Sequence, residues 1–366
     1  MTIRIGIDAR ELSGRATGVG RYLGGLLNEW AGNHRAQAHE FVLYANAPVE
    51  LPLDARRFAT RTLRGSGGTW WEQIDLPRVA AADQLDVWFA PGYTAPLRLS
   101  IPVVVAIHDL SFVAHPEWFR LREGACRRWL VRHAAQRAEA VITISQFSRG
   151  ELIEHFAVPG DRIRVIPPGI SAPQYPSPQV PKPPRVLYVG SIFNRRHVVD
   201  LIHAFAPIAR AHRDASLDIV GDNRSYPRQD LHAAIAAEGL SDRVRWHEYI
   251  ADAELRRLYG QARAFAFLSE YEGLGLTPLE ALAAGVPPVL LDTPVARESC
   301  GDAAIYVPPH STSAITSGIE TSLFDETART RVLSAAPAQL AKYSWPRAAR
   351  ETLRVIEDAA AGRGSG

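Results

Sequence analysis

The sequence predicts an α/β fold built from two parallel-sheet domains, and three observations predict it. The chain has 366 residues, more than one ordinary domain needs and enough to bury two cores. Short apolar runs at 3–7, 103–107, 140–144, 185–190, 216–221 and 264–268 alternate with helical patterns, as parallel strands covered on both faces do. Residues 171–184, SAPQYPSPQVPKPP, are crowded with proline and lack apolar periodicity. They read as a stiff linker between a first domain of residues 1–170 and a second of 185–345.

Composition narrows the class. Hydrophobic residues make up 46% and charged residues 22%, as in an ordinary soluble globular protein. A formal net charge of +2 argues against a general nucleic-acid binder. Cys126 and Cys300 lie far apart in no metal-like spacing, which fits a reducing compartment and leaves no disulfide framework. The start, MTIRIGID, alternates like a strand rather than a signal peptide, and no apolar run reaches the length of a membrane span. These features predict a cytoplasmic protein, with peripheral contact at the inner face of a membrane left open.

In chain order, the strand at 3–7 ends in Asp8-Ala9-Arg10, at the edge where open parallel sheets bind ligands. A loop through Gly18-Val19-Gly20 precedes a helix from about Arg21 to Trp30. The two glycines stand too far from the strand for a dinucleotide fingerprint, and its third glycine is missing. Residues 61–69 are polar and glycine-rich and read as a mobile loop. The strand at 103–107 places His108 at its C-terminal tip, with Asp109 beside it to orient the ring. Residues 116–138 read as one helix carrying Trp118, Leu121, Ala125, Trp129 and Leu130 on a stripe, with arginines elsewhere. That pattern fits a core-facing helix or a surface for anionic lipid. After the strand at 140–144, Ser148 and Glu151 have capping-box spacing.

The second half opens with a strand ending in Gly190, followed by Ser191 and the turn Arg195-Arg196-His197 before a helix. Arginines ahead of a helix N-terminus suit a diphosphate. A strand ends at Gly221-Asp222-Asn223, and another leads to Tyr249-Ile250. The central stretch is Glu272-Gly273-Leu274-Gly275-Leu276-Thr277-Pro278-Leu279-Glu280, after the apolar run 264–268. Its glycines allow a tight turn and close backbone approach. Thr277 is placed to cap a helix, with Pro278 first inside it and Glu280 completing a capping box. Gly285 with Pro287 and Pro288 ends that helix.

The Glu-x7-Glu spacing within EGLGLTPLEALAAGVPPV resembles the motif of retaining GT-B glycosyltransferases of family four. The resemblance spans nearly the whole chain and is strongest from 185 to 302. GIDAREL, GVGRYL and IHDLSFVAHPEWF are similar to mannosyltransferase-like bacterial members that assemble polysaccharides. It implies two Rossmann-like domains facing a cleft, and a last helix, 346–361, that crosses back to the first domain. The first would take the acceptor and the second the nucleotide-sugar donor. Glu272 would meet the donor sugar and Glu280 the ribose. The backbone of Gly273, Leu274, Gly275, Leu276 and Thr277 would meet diphosphate and sugar. Arg196 aligns with the family's phosphate-binding lysine, and Arg195, Gly190, Ser191 and Asn223 would line the donor. Tyr249 and Ile250 would read the base, Gly18 and Gly20 would approach donor or acceptor, and His108 would support the transferred group. Two departures touch the phosphate clamp. The family's Lys is Arg196 here, and its frequent Arg after the glycine is Ser191.

The implied reaction is retaining transfer of a hexose from a nucleotide-diphosphate sugar to a saccharide or lipid-linked saccharide. GDP-mannose is favoured and UDP-glucose is next. No Asp-x-Asp pair is present, so the reading has no cofactor and no catalytic metal. Two alternatives stand beside it: a non-catalytic sugar-nucleotide-binding scaffold subunit, and a sugar-nucleotide epimerase on the same fold. A phosphorylase needs a pyridoxal lysine, and the two lysines, Lys182 and Lys342, are badly placed for one.

Overall fold

In the computed structural model, residues 2–14, 18–49, 53–119, 121–170 and 183–362 are described. The chain forms two compact units. Residues 1–169 and 343–366 make the first, and residues 170–342 the second. Most of the proline-rich segment, 171–182, lies outside the described residues.

The first unit holds seven parallel strands: β1 (Arg4–Asp8), β2 (Glu40–Ala45), β3 (Phe58–Thr62), β4 (Val87–Ala90), β5 (Val103–Ala106), β6 (Ala140–Thr143) and β7 (Ile163–Val165). Their order is β3-β2-β1-β4-β5-β6-β7. The second holds six: β8 (Arg185–Val189), β9 (Ser216–Val220), β10 (Val244–His247), β11 (Ala264–Phe267), β12 (Pro288–Leu291) and β13 (Ile305–Val307), in the order β10-β9-β8-β11-β12-β13. Every pairing is parallel. The expected α/β class is therefore present in both halves. Each order reverses once, between β1 and β4 and between β8 and β11. Chains leave the sheet in opposite directions there, opening a crevice at the C-terminal edge.

Alternation along the strands builds two core layers in the first unit. Phe41 and Leu43 face one layer, with Ile5, Ile7, Val87, Phe89 and Ile142. Val42 and Tyr44 face the other, with Trp88, Val105, Val141 and Trp71. Period-2 side chains on a sheet covered on both faces require this. The helix Gly18–Gly32 covers the first layer with Leu23, Leu26, Leu27 and Trp30. The last helix, Trp345–Ala360, covers it too, with Ala348, Leu353 and Ile356. Ser344 caps that helix and Pro346 sits in its first turn, where its missing N–H costs nothing. Trp30 donates its indole N–H to the Ala349 carbonyl at 2.9 Å and stacks on Phe41 at 5.4 Å. The closing segment of the chain thus belongs to the first unit.

Several local expectations are corrected. Gly18 and Gly20 are not a loop but the first turn of their helix, Gly20 being buried. Arg61 lies in β3 rather than a mobile loop, paired to Asp83 at 2.8 Å. Ser145, not Ser148, caps the helix Gln146–Phe156, because Ser145 has the extended backbone a cap needs. The segment 116–138 is a short 3-10 turn, Pro116–Trp118, and then the helix Leu121–Arg137. Its buried face is Leu130, Val131, Ala134 and Ala135, while Ala125 and Trp129 are exposed. Arg127 turns inward and stacks over Phe112 and Tyr93, and Arg128 reaches the Phe112 carbonyl. Among the described residues no helix is long and apolar enough to cross a membrane.

Trp30→Ala removes a fully buried ring and the bond to the last helix. It should destabilise the first unit by about 3–5 kcal/mol in chemical denaturation.

Candidate functional site

The C-terminal edge of the second sheet is shaped by glycines. Gly190 follows β8 and Gly221 follows β9, both at positive φ, 149° and 152°. A Cβ on Gly221 would stand 2.0 Å from the Gly190 carbonyl oxygen, so only glycine lets the two backbones meet. The chain then makes the turn Asn194–Arg196, and His197 in the left-handed region leads into the helix Val198–Ala211.

Arg196 and Glu272 face each other across the β8–β11 reversal. Arg196 Nε donates to Glu272 Oε1 at 2.7 Å and Nη2 to Oε2 at 3.0 Å. Nη1 donates to the Ser191 carbonyl at 2.8 Å. The guanidinium also lies over the Phe267 ring at 5.0 Å. Burial works against its charge, but Glu272 outweighs burial and holds the guanidinium more firmly protonated than usual. Ser269 Oγ donates to Glu272 Oε1 at 2.8 Å, so the carboxylate is fixed from two sides. Burial pushes the nearby Tyr188 hydroxyl up to about 12.

The helix after this loop begins at Leu276, whereas the capping pattern puts Thr277 in the cap position and Pro278 first inside. Gly275 takes the cap position at φ 86°, and no side chain caps the helix. The left-handed turn at Gly275 carries the chain into the helix two residues early. Thr277 and Pro278 then fall inside the first turn. The expected Thr277–Glu280 capping box is absent. An uncapped N-terminus presents N–H groups and the positive end of the helix dipole. Glu280 lies further along, near the Tyr259 hydroxyl at 3.4 Å. A small pocket beside Glu272 is lined by Leu274, Gly275, Pro278, Leu291, Val295 and Ser299 among others.

Other expected donor residues are placed differently. Asn223 uses its amide on its own loop, accepting from Ser225 and donating to the Gln229 carbonyl at 2.9 Å. Tyr249 is exposed, beyond the end of β10 at the sheet edge, and Ile250 is half-buried. Arg195 lies over the Phe193 ring at 4.3 Å.

In the first unit, His108 sits just beyond β5 and is buried. Its Nε2 is 2.7 Å from the Pro91 carbonyl. A carbonyl only accepts, so Nε2 carries the proton, and in the neutral ring Nδ1 keeps its lone pair. Tyr22 and Tyr93 meet the ring edge to face. Asp109 does not orient it. That carboxylate bonds the Tyr93 hydroxyl and Ser111 instead. Ser148 donates to the His108 carbonyl at 3.2 Å, which fixes the backbone there.

A second guanidinium cluster sits at the β1–β4 reversal, outside the candidate site residues that the sequence offers. Arg10 is held by Asp8 through Nε at 2.9 Å, by Glu72, and by the Gly67 carbonyl at 3.0 Å. Thr94 donates to Glu72 Oε1 at 2.6 Å and Gln73 donates to Oε2 at 3.0 Å. Asp8 and Glu72 are both buried. Asp8-Ala9-Arg10 at a strand end was the available signal; its distant partner Glu72 carried none. Among the described residues no group of three or more His, Cys, Asp or Glu is arranged to hold a metal ion.

Comparison with known proteins gives the family of the chain. The model for glycosyl transferases group 1 matches residues 175–339, and that for glycosyltransferase family 4 matches 16–174. The O-antigen chain mannosyltransferase B of Escherichia coli is 27% identical over 282 residues, covering 74% of each chain. The alpha-D-kanosaminyltransferase of Streptomyces kanamyceticus is 29% identical over 264 residues, covering 67% of this chain and 68% of the relative. Among solved structures, sucrose-phosphate synthase from Thermosynechococcus elongatus superposes with a TM-score of 0.80 at 18% identity, over 98% of this chain and all of that one.

His108 yields a pH prediction. Burial holds its imidazole below the ordinary histidine range. The unfolded chain therefore binds a proton that the folded one refuses, and stability falls as pH drops through that range. His108→Gln should flatten this acid dependence in thermal melts. The chain is a glycosyltransferase of family four, built on the GT-B pattern of two Rossmann-like domains.

Proposed function

We propose that this glycosyltransferase moves a hexose, mannose before glucose, from its nucleotide-diphosphate sugar to a saccharide or lipid-linked saccharide, with retention at the anomeric carbon. The observation that carries the reading is Arg196 paired with Glu272 across the β8–β11 reversal, beside the uncapped helix at Leu276. The mannosyltransferase relative supports mannose as the sugar. The second unit takes the donor and the first takes the acceptor.

Each group has a task that follows from its chemistry. Three guanidinium N–H groups of Arg196 are engaged with Glu272 and Ser191, the Tyr188 hydroxyl bonds the guanidinium as well, and the donor capacity that remains serves phosphate oxygens. The N–H groups at Leu276 and Thr277 meet the diphosphate from the other side. Glu272 accepts from a sugar hydroxyl, and Glu280 from the ribose. Tyr249 and Ile250 border the base. His108 offers Nδ1 to a hydroxyl of the sugar or the acceptor. The anomeric carbon–oxygen bond to the diphosphate breaks as the acceptor oxygen bonds to the same face. The hydroxyl proton passes to the departing diphosphate. Fixed positive groups stabilise the charge that develops there without reorganisation. No metal ion is called for in this scheme.

A panel of nucleotide sugars tested by thermal shift and calorimetry checks the donor. One of them should stabilise the protein without magnesium. Arg196→Ala should weaken that binding at least tenfold, and Glu272→Ala should lower transfer more than nucleotide affinity. Equal binding in the wild type and both variants would reject this site.

The helix Leu121–Arg137 adds a place for the acceptor. Trp129 is 54% exposed, with Arg132 and Arg137 also exposed along the same helix. An aromatic ring among cations fits an anionic bilayer surface, so we place the protein at the inner face of a membrane. Trp129→Ala combined with Arg132→Glu should reduce cosedimentation with anionic vesicles and leave transfer to a water-soluble acceptor unchanged.

A further inference from the structure

His197 stands where the arginine turn meets the carboxylate loop. It ends the turn Asn194–Arg196 at φ 49°, an uncommon conformation for a residue other than glycine. Its Nδ1 lies 2.6 Å from Asp200 Oδ2, on the helix that follows. Its Nε2 lies 2.9 Å from Glu270 Oε1, an ion pair by distance though not aligned as a hydrogen bond. Glu270 is two residues before Glu272, and its backbone N–H donates to the Arg195 carbonyl at 3.0 Å. His310, beyond β13 and also at positive φ, brings its Nε2 to 3.5 Å from the same Glu270 oxygen. The two imidazole rings meet edge to face at 5.8 Å.

One ring and one backbone bond therefore tie the turn carrying Arg196 to the loop carrying Glu272. A ring with a carboxylate at each nitrogen is satisfied only when both nitrogens carry protons. The neutral ring must turn a lone pair toward one carboxylate, which repels it. We propose that His197 is a positioning residue of the donor site: as an imidazolium between Asp200 and Glu270 it clamps the Arg196 turn against the Glu272 loop, and loss of that charge loosens the grip on the nucleotide diphosphate. The inference rests on reading this edge as the donor site.

Electrostatics around the ring agree in sign. The bond to Asp200 raises the His197 pKa, burial opposes this, and Glu270 adds to the rise. Arg195 and Arg196 precede His197 in the chain, and Arg196 is neutralised by Glu272. His310 shares Glu270 with it. His203, which acts on Asp200 from the same helix, is paired with Glu238 at 2.9 Å. A raised histidine pKa means the clamp is complete below the ordinary histidine range and is lost as pH rises through the folded value. This is the opposite direction to His108.

The test is calorimetric titration with GDP and with UDP from about pH 5.5 to about pH 9, which spans a raised histidine titration. Wild type, His197→Asn and Glu270→Gln are compared. Asn tolerates the left-handed backbone, so the first variant keeps the turn while removing the titrating ring. The second keeps the size of residue 270 and removes its charge. Wild-type affinity should fall about three- to tenfold as the ring deprotonates, within the reach of one lost ion pair. Both variants should bind more weakly at low pH and lack that fall. Parallel pH slopes in all three proteins would overturn the clamp and leave the donor-site reading standing. No nucleotide binding at any pH by the wild type would overturn the donor-site reading, and the clamp with it.

Discussion

A guanidinium cannot be left unpaired where Arg196 sits. Its side chain is 13% exposed and Glu272 is 17% exposed. Desolvating either charge alone costs several kcal/mol, so each requires the other. Much of the second sheet's edge is arranged to let them meet. Gly190 and Gly221 let β8 and β9 finish in contact, which sets where the arginine turn starts. Ser269 fixes the carboxylate, and Phe267 supplies a ring face beneath the arginine. The reversal of strand order between β8 and β11 sends the two loops apart and leaves room between them. The first unit solves the same problem at the β1–β4 reversal with Arg10, Asp8 and Glu72.

What could be read in the sequence follows from how local its cause is. Strands announce themselves through apolar runs, and their C-terminal tips through Asp8, His108, Gly190 and Asn223. Those tips mark the functional edge because parallel sheets place ligands there. Pairings that join distant segments leave no such trace. Arg10 and Glu72 are 62 residues apart, and nothing in WWEQ says that its glutamate is buried. Arg196 and Glu272 were each singled out, 76 residues apart, yet as separate groups and not as one ion pair.

Helix boundaries failed for a different reason. Thr277-Pro278-Leu279-Glu280 satisfies a capping pattern, but the backbone of Gly275 turns first, and conformation takes precedence over side-chain chemistry. Ser145 prevails over Ser148 likewise, through its extended backbone, and the buried Ser148 hydroxyl goes to the His108 carbonyl. On the helix Leu121–Arg137 the arginines misled the stripe. Arg127 covers Phe112 with its guanidinium, so a charged residue faces inward while Trp129 faces solvent. Apolar periodicity misses such cases because an arginine is a flat cation that stacks on rings.

That property also bears on the choice of arginine at position 196. A lysine offers a point charge and could satisfy one oxygen of Glu272 at a time. The guanidinium grips both oxygens along one edge, reaches the Ser191 carbonyl with a third N–H, and bonds the Tyr188 hydroxyl as well. With Glu272 in place the pair is formally neutral, so under the donor-site reading proposed above the pull on a diphosphate would fall to Arg195 and the helix N-terminus at Leu276. Selectivity then depends on shape more than on bulk charge. On that reading a ligand would have to bring its oxygens to Arg196 and the amides of the Gly275 turn together, and a lone anion would gain little from either.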